Sequence, residues 1–306
     1  ELCDRLDLDW QSIVHPKTER IGQSTTSLTE LAPFNTGFPI SHPAGFFGRH
    51  WELSRCFSLL KHKPLQNIAI LGQPRSGKTS LLRHLSQITT VPSEQLRPAQ
   101  KNDWLPQPEQ YHWIFVDFHD ARFTTQAGLI QYLLQAMGIH ADTAPDLCDF
   151  MELVSQHLHQ PTVVMLDEIG VGLKRCPDLD DPFWESLRSL ATNQTDGNLS
   201  FILTSSQPPM TLARETGHSS PFFNIFGYTA LLGPLKEPAA RALINSSPLP
   251  FPPEDAAWIL EKSGGWPMLL QVLCSIRLMA LEHCDDQDIW KRESRRHLDS
   301  LESFMG

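Results

Sequence analysis

The residues best suited to chemistry stand between Asn67 and Leu85, in the run NIAILGQPRSGKTSLLRHL. Gly72, Gly77, Lys78 and Thr79 satisfy the spacing G-x-x-x-x-G-K-[ST], with Gln73, Pro74, Arg75 and Ser76 between them and Ser80 following. A phosphate chain asks for backbone N–H donors, a helix N-terminus facing it and a lysine reaching its outer end. Gly72 to Ser80 answer that request: the glycine-rich backbone as cradle, Lys78 as the cation, Thr79 as a hydroxyl for a magnesium ion. Such a loop works only between a strand and a helix. Ile68 to Leu71 form a short apolar run that reads as the strand, and Leu81, Leu82, Leu85 and Ile88 recur at helical spacing. A chance Gly-Lys-Thr in a flexible loop is the bland alternative, and the flanking elements weigh against it.

A second landmark lies at Asp167 and Glu168, directly after the apolar run Val163 to Leu166. The C-terminal ends of strands in an open α/β sheet are where such folds hold ligands. In phosphoryl chemistry one carboxylate there holds Mg2+, usually through water, and the next orients and deprotonates an attacking water. An acidic pair alone could simply begin a loop; the phosphate loop upstream makes it catalytic. Leu199 to Leu203 read as another strand, ending in Thr204, Ser205, Ser206 and Gln207. Ser205 is the expected polar group near a γ-phosphate or the water, with ordinary turn chemistry as the alternative. Arg214 is either a surface arginine or a finger reaching a neighbouring subunit's nucleotide.

The elements that must position these groups alternate. Strands are predicted at residues 111–118 and 228–232, and helices at 50–61, 129–137, 147–158 and 183–191. The pattern predicts an α/β fold: a P-loop NTPase parallel sheet flanked by helices. Four prolines between residues 92 and 108 make that stretch an irregular surface excursion, with Trp104 plugging its own core. From Gly233 the strand signals stop, and helices at 237–245, 254–262, 267–281 and 285–304 predict a small all-helical lid domain. The 267–281 helix is apolar nearly all round and belongs at its centre. The expected organisation is a linker over 1–43, a nucleotide-binding domain over 44–232 and the lid over 233–306.

Bulk properties narrow the classes. The chain has 306 residues, 41% hydrophobic and 20% charged, and a formal net charge of -10. That acidic balance argues against broad contact with nucleic acid or anionic lipid, while leaving room for a local basic patch. Six cysteines lie far apart with no metal-ligand spacing, so they read as reduced thiols of a cytoplasmic protein. The longest uncharged apolar run, residues 264–276, falls short of the roughly 18 to 20 residues of a bilayer span. A start at Glu1 without methionine or secretory pattern reads as an excised piece of a longer protein. No Asn-Lys-x-Asp occurs, so the usual guanine-reading signature is missing and adenine is the default base.

Phe46-Phe47-Gly48-Arg49, the loop Gly72 to Thr79, the run Val163 to Glu168, Leu203 to Ser206, and GGWPMLL at 264–270 together resemble a STAND-type ATPase of the AAA+ superclass. The resemblance covers about residues 44–281. It implies that ATP/ADP and Mg2+ are the cofactors, with Thr79 and Asp167 as metal residues and Glu168, Lys78 and Ser205 as catalytic ones. It also implies that Phe47, Gly48 and Arg49 enclose adenine together with Pro267, the proline of the family's Gly-x-Pro motif. Ring-forming relatives carry a sensor arginine in the lid, and residues 264–270 offer none. The expected function is a slow Mg-dependent ATPase acting as a switch, whose lid moves with the nucleotide and whose ATP state can form homo-oligomers that control a protein partner or effector. The alternatives are a DNA-associated AAA+ ATPase of the origin-binding or transposition-helper kind, and a nucleotide-binding scaffold that does not hydrolyse.

Overall fold

Residues with β-branched and aliphatic side chains in short runs, separated by amphipathic stretches of ten or so residues, fold in alternation along the chain. The computed structural model describes residues 32–141, 144–284 and 287–305; the expected linker lies outside the described residues up to residue 31. In chain order the elements are α1 (His50–Leu60), β1 (Ile68–Gly72), α2 (Lys78–Gln87), β2 (His112–Asp117), α3 (Gln126–Met137), α4 (Leu147–His157), β3 (Thr162–Asp167) and α5 (Ile169–Arg175). There follow α6 (Asp181–Ser189), β4 (Leu199–Ser205), α7 (Pro209–Glu215), β5 (Tyr228–Leu232), α8 (Glu237–Ile244), α9 (Pro253–Ser263), α10 (Pro267–Glu282) and α11 (Gln287–Met305). The stretch 88–111 holds only short 3-10 turns, as its prolines dictate.

The five strands make one parallel sheet in the order β2-β3-β4-β1-β5. Alternation along each strand divides its side chains between two cores. Ile68 and Ile70 of β1 with Val163 and Met165 of β3 join α1 and α2 on one face. Ala69 and Leu71 with Val164 and Leu166 join α3, α4 and α6 on the other. There Trp184, fully buried, donates its indole N–H to the Leu179 carbonyl at 2.7 Å. A sheet covered on both faces buries its central strands completely, and every residue of β3 and β4 is buried, the polar ones included.

The C-terminal helices gather around α10, which buries Leu270, Leu273 and Cys274 completely and packs against α8, α9 and α11. Arg277 on α10 lies buried against the fully buried Asp255 of α9 at 2.8 Å, so this lid arginine is committed to holding two helices together. Phe34 and Phe47, from the segment before α1, pack into the same helical core. From Pro33 onward the chain is one compact unit. Among the described residues no helix is long and apolar enough to cross a membrane.

Candidate nucleotide-binding site

Parallel pairing brings the C-terminal ends of all five strands to one edge. Register sets Leu71 beside Ser205, Asp117 beside Asp167 and Gly72 beside Leu232. The phosphate loop leaves β1 there and returns as α2. Two of its residues take left-handed backbone, Arg75 at φ 65° and Gly77 at φ 94°. Gly77 caps α2 with no side-chain hydrogen bond, so the first-turn N–H groups of that helix face the loop. Gly72 is required for space: a Cβ there would stand 2.8 Å from the Leu232 carbonyl oxygen. The Ser76 hydroxyl is buried within the loop without a partner, an orphan that an anion's oxygen would satisfy.

Lys78 is 5% exposed. Its ammonium donates to the carbonyls of Gly72 at 3.1 Å and Gln73 at 3.3 Å, and lies 3.4 Å from Glu168 Oε1. Glu168 itself sits at φ 53°, a left-handed position that a non-glycine residue holds only when its surroundings fix it. What fixes it is Thr204: its hydroxyl accepts the Glu168 N–H at 2.8 Å and donates to Asp167 Oδ1 at 2.6 Å. The other oxygen of Asp167 accepts the Thr79 hydroxyl at 2.8 Å. Burial pushes the Asp167 carboxyl up from its ordinary range; the bonds from Thr204 and Thr79 pull it down, and Glu168 and Asp117 nearby push it up again.

The donors suit a hard divalent cation. A hydroxyl and a carboxylate converge at the mouth of the phosphate loop, the oxygen set Mg2+ takes when waters and phosphate oxygens complete its shell. Among the described residues no group of three or more His, Cys, Asp or Glu side chains is arranged to hold a metal by itself.

A cavity of about 480 Å3 opens over the loop, lined by Arg75, Gly77 to Ser80, Glu168, Pro267, Met268 and Gln271. Its remaining wall is the segment Asn35 to Ile40. That segment is held at both ends: the Ile40 N–H donates to Ser80 Oγ at 3.0 Å and the Asn35 N–H to Gln271 Oε1 at 2.9 Å. The loop, the acidic pair and Pro267 thus come together. Phe47, Gly48 and Arg49 do not line this cavity; they line a different one. Arg49, at φ 62°, reaches the loop from outside, donating to the carbonyls of Ser76 and Gly233 and pairing with Glu52 at 3.4 Å. Ser205 is buried, and its hydroxyl accepts the Gln207 N–H at 3.1 Å, the turn chemistry weighed against a sensor role. Thr204, which the sequence reading passed over, makes the contact with the acidic pair; the adjacent hydroxyls of Thr204, Ser205 and Ser206 offered no means of choosing among them. Arg214 is exposed on α7. Trp104 stacks on Phe57 at 5.3 Å, in its own core as expected.

Sheet order, loop and acidic strand end define a P-loop NTPase fold followed by a helical lid. Residues 62–208, just under half of the chain, match the family model described as an AAA domain. Among curated proteins none has significant sequence similarity to the chain. Three solved structures illustrate the fold. The Walker-type ATPase PABY2304 of Pyrococcus abyssi is similar at TM-score 0.60 and 17% identity, over 88% of this chain and 77% of that one. The ORC2 protein of Aeropyrum pernix, in ADPNP and ADP complexes, is similar at 0.55 and 14%, over 80% and 66%. The Thermotoga maritima RuvB Holliday junction branch migration motor is similar at 0.51 and 15%, over 83% and 71%. At such identities the likeness establishes the fold.

Proposed function

We propose that the chain is a slow, Mg2+-dependent ATPase of the STAND type, a switch whose helical lid responds to the nucleotide in the phosphate loop. The observation that carries this reading is the linked set Thr79–Asp167–Thr204–Glu168, in which each hydroxyl holds a carboxylate or its backbone at the mouth of the loop. Gly72 to Ser80 cradle the phosphates through main-chain N–H groups, the Ser76 hydroxyl and the Lys78 ammonium. Thr79 and Asp167 would hold Mg2+, which when bound would supply neutralisation of the charge developing on the outer phosphates. Lys78 exchanges the two loop carbonyls and Glu168 for phosphate oxygens, and Glu168, released, takes the proton of an attacking water. Catalysis of this kind is mostly positioning and charge stabilisation.

Because Pro267, Met268 and Gln271 share the loop's cavity, the nucleoside lies between α10 and the segment Asn35 to Ile40. Arg49 acts on it through the Ser76 and Gly233 carbonyls. ADP keeps lid and loop together, and ATP alters that grip so that the ATP state presents a surface to a protein partner or a second copy. Lys78→Ala is expected to abolish ATP binding in calorimetric titration. Glu168→Gln is expected to bind ATP like the wild type and to lose turnover by about 100-fold or more. Equal phosphate release from wild type and Glu168→Gln would refute the assigned base.

A DNA-associated role is the second reading, favoured by one surface. Arg295, Arg296 and His297 are exposed on α11, a short basic run on an acidic chain, with Glu293 and Asp299 exposed on either side of it. Contact of that face with a phosphate backbone predicts DNA retention that needs ATP and falls steeply between about 50 and 200 mM salt. Filter binding without retention at the lower salt eliminates this reading and leaves the switch standing.

A further inference from the structure

Arg75 stands on a backbone that does not suit it. The phosphate loop turns at two left-handed positions; Gly77 takes that conformation without steric cost, while at Arg75, φ 65°, a Cβ has to be carried through it. Glycine is the residue such a position favours, with Asn and Asp after it. A long, charged side chain kept there against the backbone's preference points to work done by the side chain itself.

That side chain is exposed and lines the phosphate-loop cavity. Among the described residues it has no hydrogen-bond or ion-pair partner. Other arginines that could have served the site are already engaged: Arg49 with the Ser76 and Gly233 carbonyls and Glu52, Arg277 with Asp255. The described wall of the cavity carries two cations, Arg75 and Lys78, and one carboxylate, Glu168, which lies 3.4 Å from Lys78. Lys78 is a buried point charge, 5% exposed. Arg75 is the accessible one, and its planar fork of N–H donors matches a pair of phosphate oxygens. Residues 264–270 of the lid bring no arginine to the same space.

We propose that the Arg75 guanidinium grips the terminal phosphoryl of a bound nucleoside triphosphate in cis, so that the loop itself supplies the arginine of hydrolysis and tells ATP from ADP. This rests on the phosphate loop being the nucleotide site. In the reaction the water oxygen bonds to the γ-phosphorus, and the bond from that phosphorus to the β–γ bridging oxygen breaks with its electron pair going to ADP. The water proton passes to Glu168. Arg75 holds non-bridging oxygens of the phosphoryl throughout and moves no proton; its charge offsets what spreads over those oxygens in the transition state.

Arg75→Gly is the test, because it removes the guanidinium and relieves the backbone together. Relief of the left-handed residue offsets the freedom that glycine adds to the unfolded chain, so its urea midpoint should stay close to that of the wild type. In calorimetric titration with Mg-ADP and with Mg-ADPNP, whose imido bridge resists hydrolysis, ADP affinity is expected to hold and ADPNP affinity to fall by about tenfold. Single-turnover phosphate release is expected to fall by about 100-fold or more, and Arg75→Lys to recover only part of it, having the charge without the fork. Mixing Arg75→Gly with Lys78→Ala should restore nothing, since action in cis needs both residues in one chain. Equal weakening of ADP and ADPNP, unchanged ADPNP affinity, unchanged phosphate release, or recovery on mixing would each overturn the proposal. A wild type that binds ADPNP but never turns ATP over would sink the ATPase reading instead, and the comparison of ADP with ADPNP would still decide whether Arg75 grips the terminal phosphoryl.

Discussion

Asp167 is where burial and chemistry pull in opposite directions. Its carboxyl is raised chiefly by desolvation, partly offset by the hydroxyls of Thr204 and Thr79. A carboxyl raised in the folded chain binds protons there that the unfolded chain has released. The stability that Asp167 contributes is therefore greatest below the ordinary aspartate range, about 3.9, and falls as pH rises through that range and past it to the folded value. Buried His84, its imidazole held down to about 3, contributes the opposite slope, so the loss is read as the difference between the urea-denaturation profiles of wild type and Asp167→Asn between pH 4 and 7, in which the His84 contribution cancels. Mg2+ reverses the sign, since the ion needs the ionised form: added Mg2+ should protect more at pH 7 than at pH 5. A protection by Mg2+ independent of pH would remove Asp167 from the metal set. Thr204 belongs to the same balance, one oxygen donating to Asp167 and accepting from Glu168.

At the scale of elements, the passage from sheet to lid is built on a close backbone approach. Leu235 donates its N–H to the Gly265 carbonyl at 2.8 Å. Gly265 has φ 79°, and a Cβ on it would stand 2.8 Å from the Leu235 carbonyl oxygen. Gly265→Ala should thus cost about 1–3 kcal/mol in urea denaturation and loosen α10 from the hinge. Gly233→Ala is the control, since open space surrounds its Cβ position, and it should stay within about 0.5 kcal/mol. Equal losses for both would deny the close approach its role. The strands and most helices were legible within a residue or two, because two-residue and 3.6-residue periods stand out in this chain. Helix α5 was not. Its sequence IGVGLKR carries two glycines and a valine, poor helix formers, and Gly172 is there because the Phe118 ring fills its side-chain space, with the nearest atom 2.6 Å from a Cβ. Only tertiary packing explains that residue.

Across the whole molecule, legibility followed how local each cause was. The phosphate loop and the acidic pair are set by residues close in sequence to the strands that carry them, so spacing alone located them. Thr204 depended on which hydroxyl of a run faces β3, a matter of register between strands far apart in sequence. Arg49 depended on carbonyls 27 and 184 residues away, which no local pattern announces. The segment Asn35 to Ile40 is a further case, for its hydrogen bonds to the loop helix at Ser80 and to the lid helix at Gln271 both come from main-chain N–H groups. Those two bonds therefore do not depend on its own side chains, while Ile40 and the adjoining Phe34 pack against the two cores on either side. Each bond contributes on the order of 1 kcal/mol, and the polar half of the clasp is set by two residues the strap does not own: a change at position 80 or 271 retunes it without touching the strap.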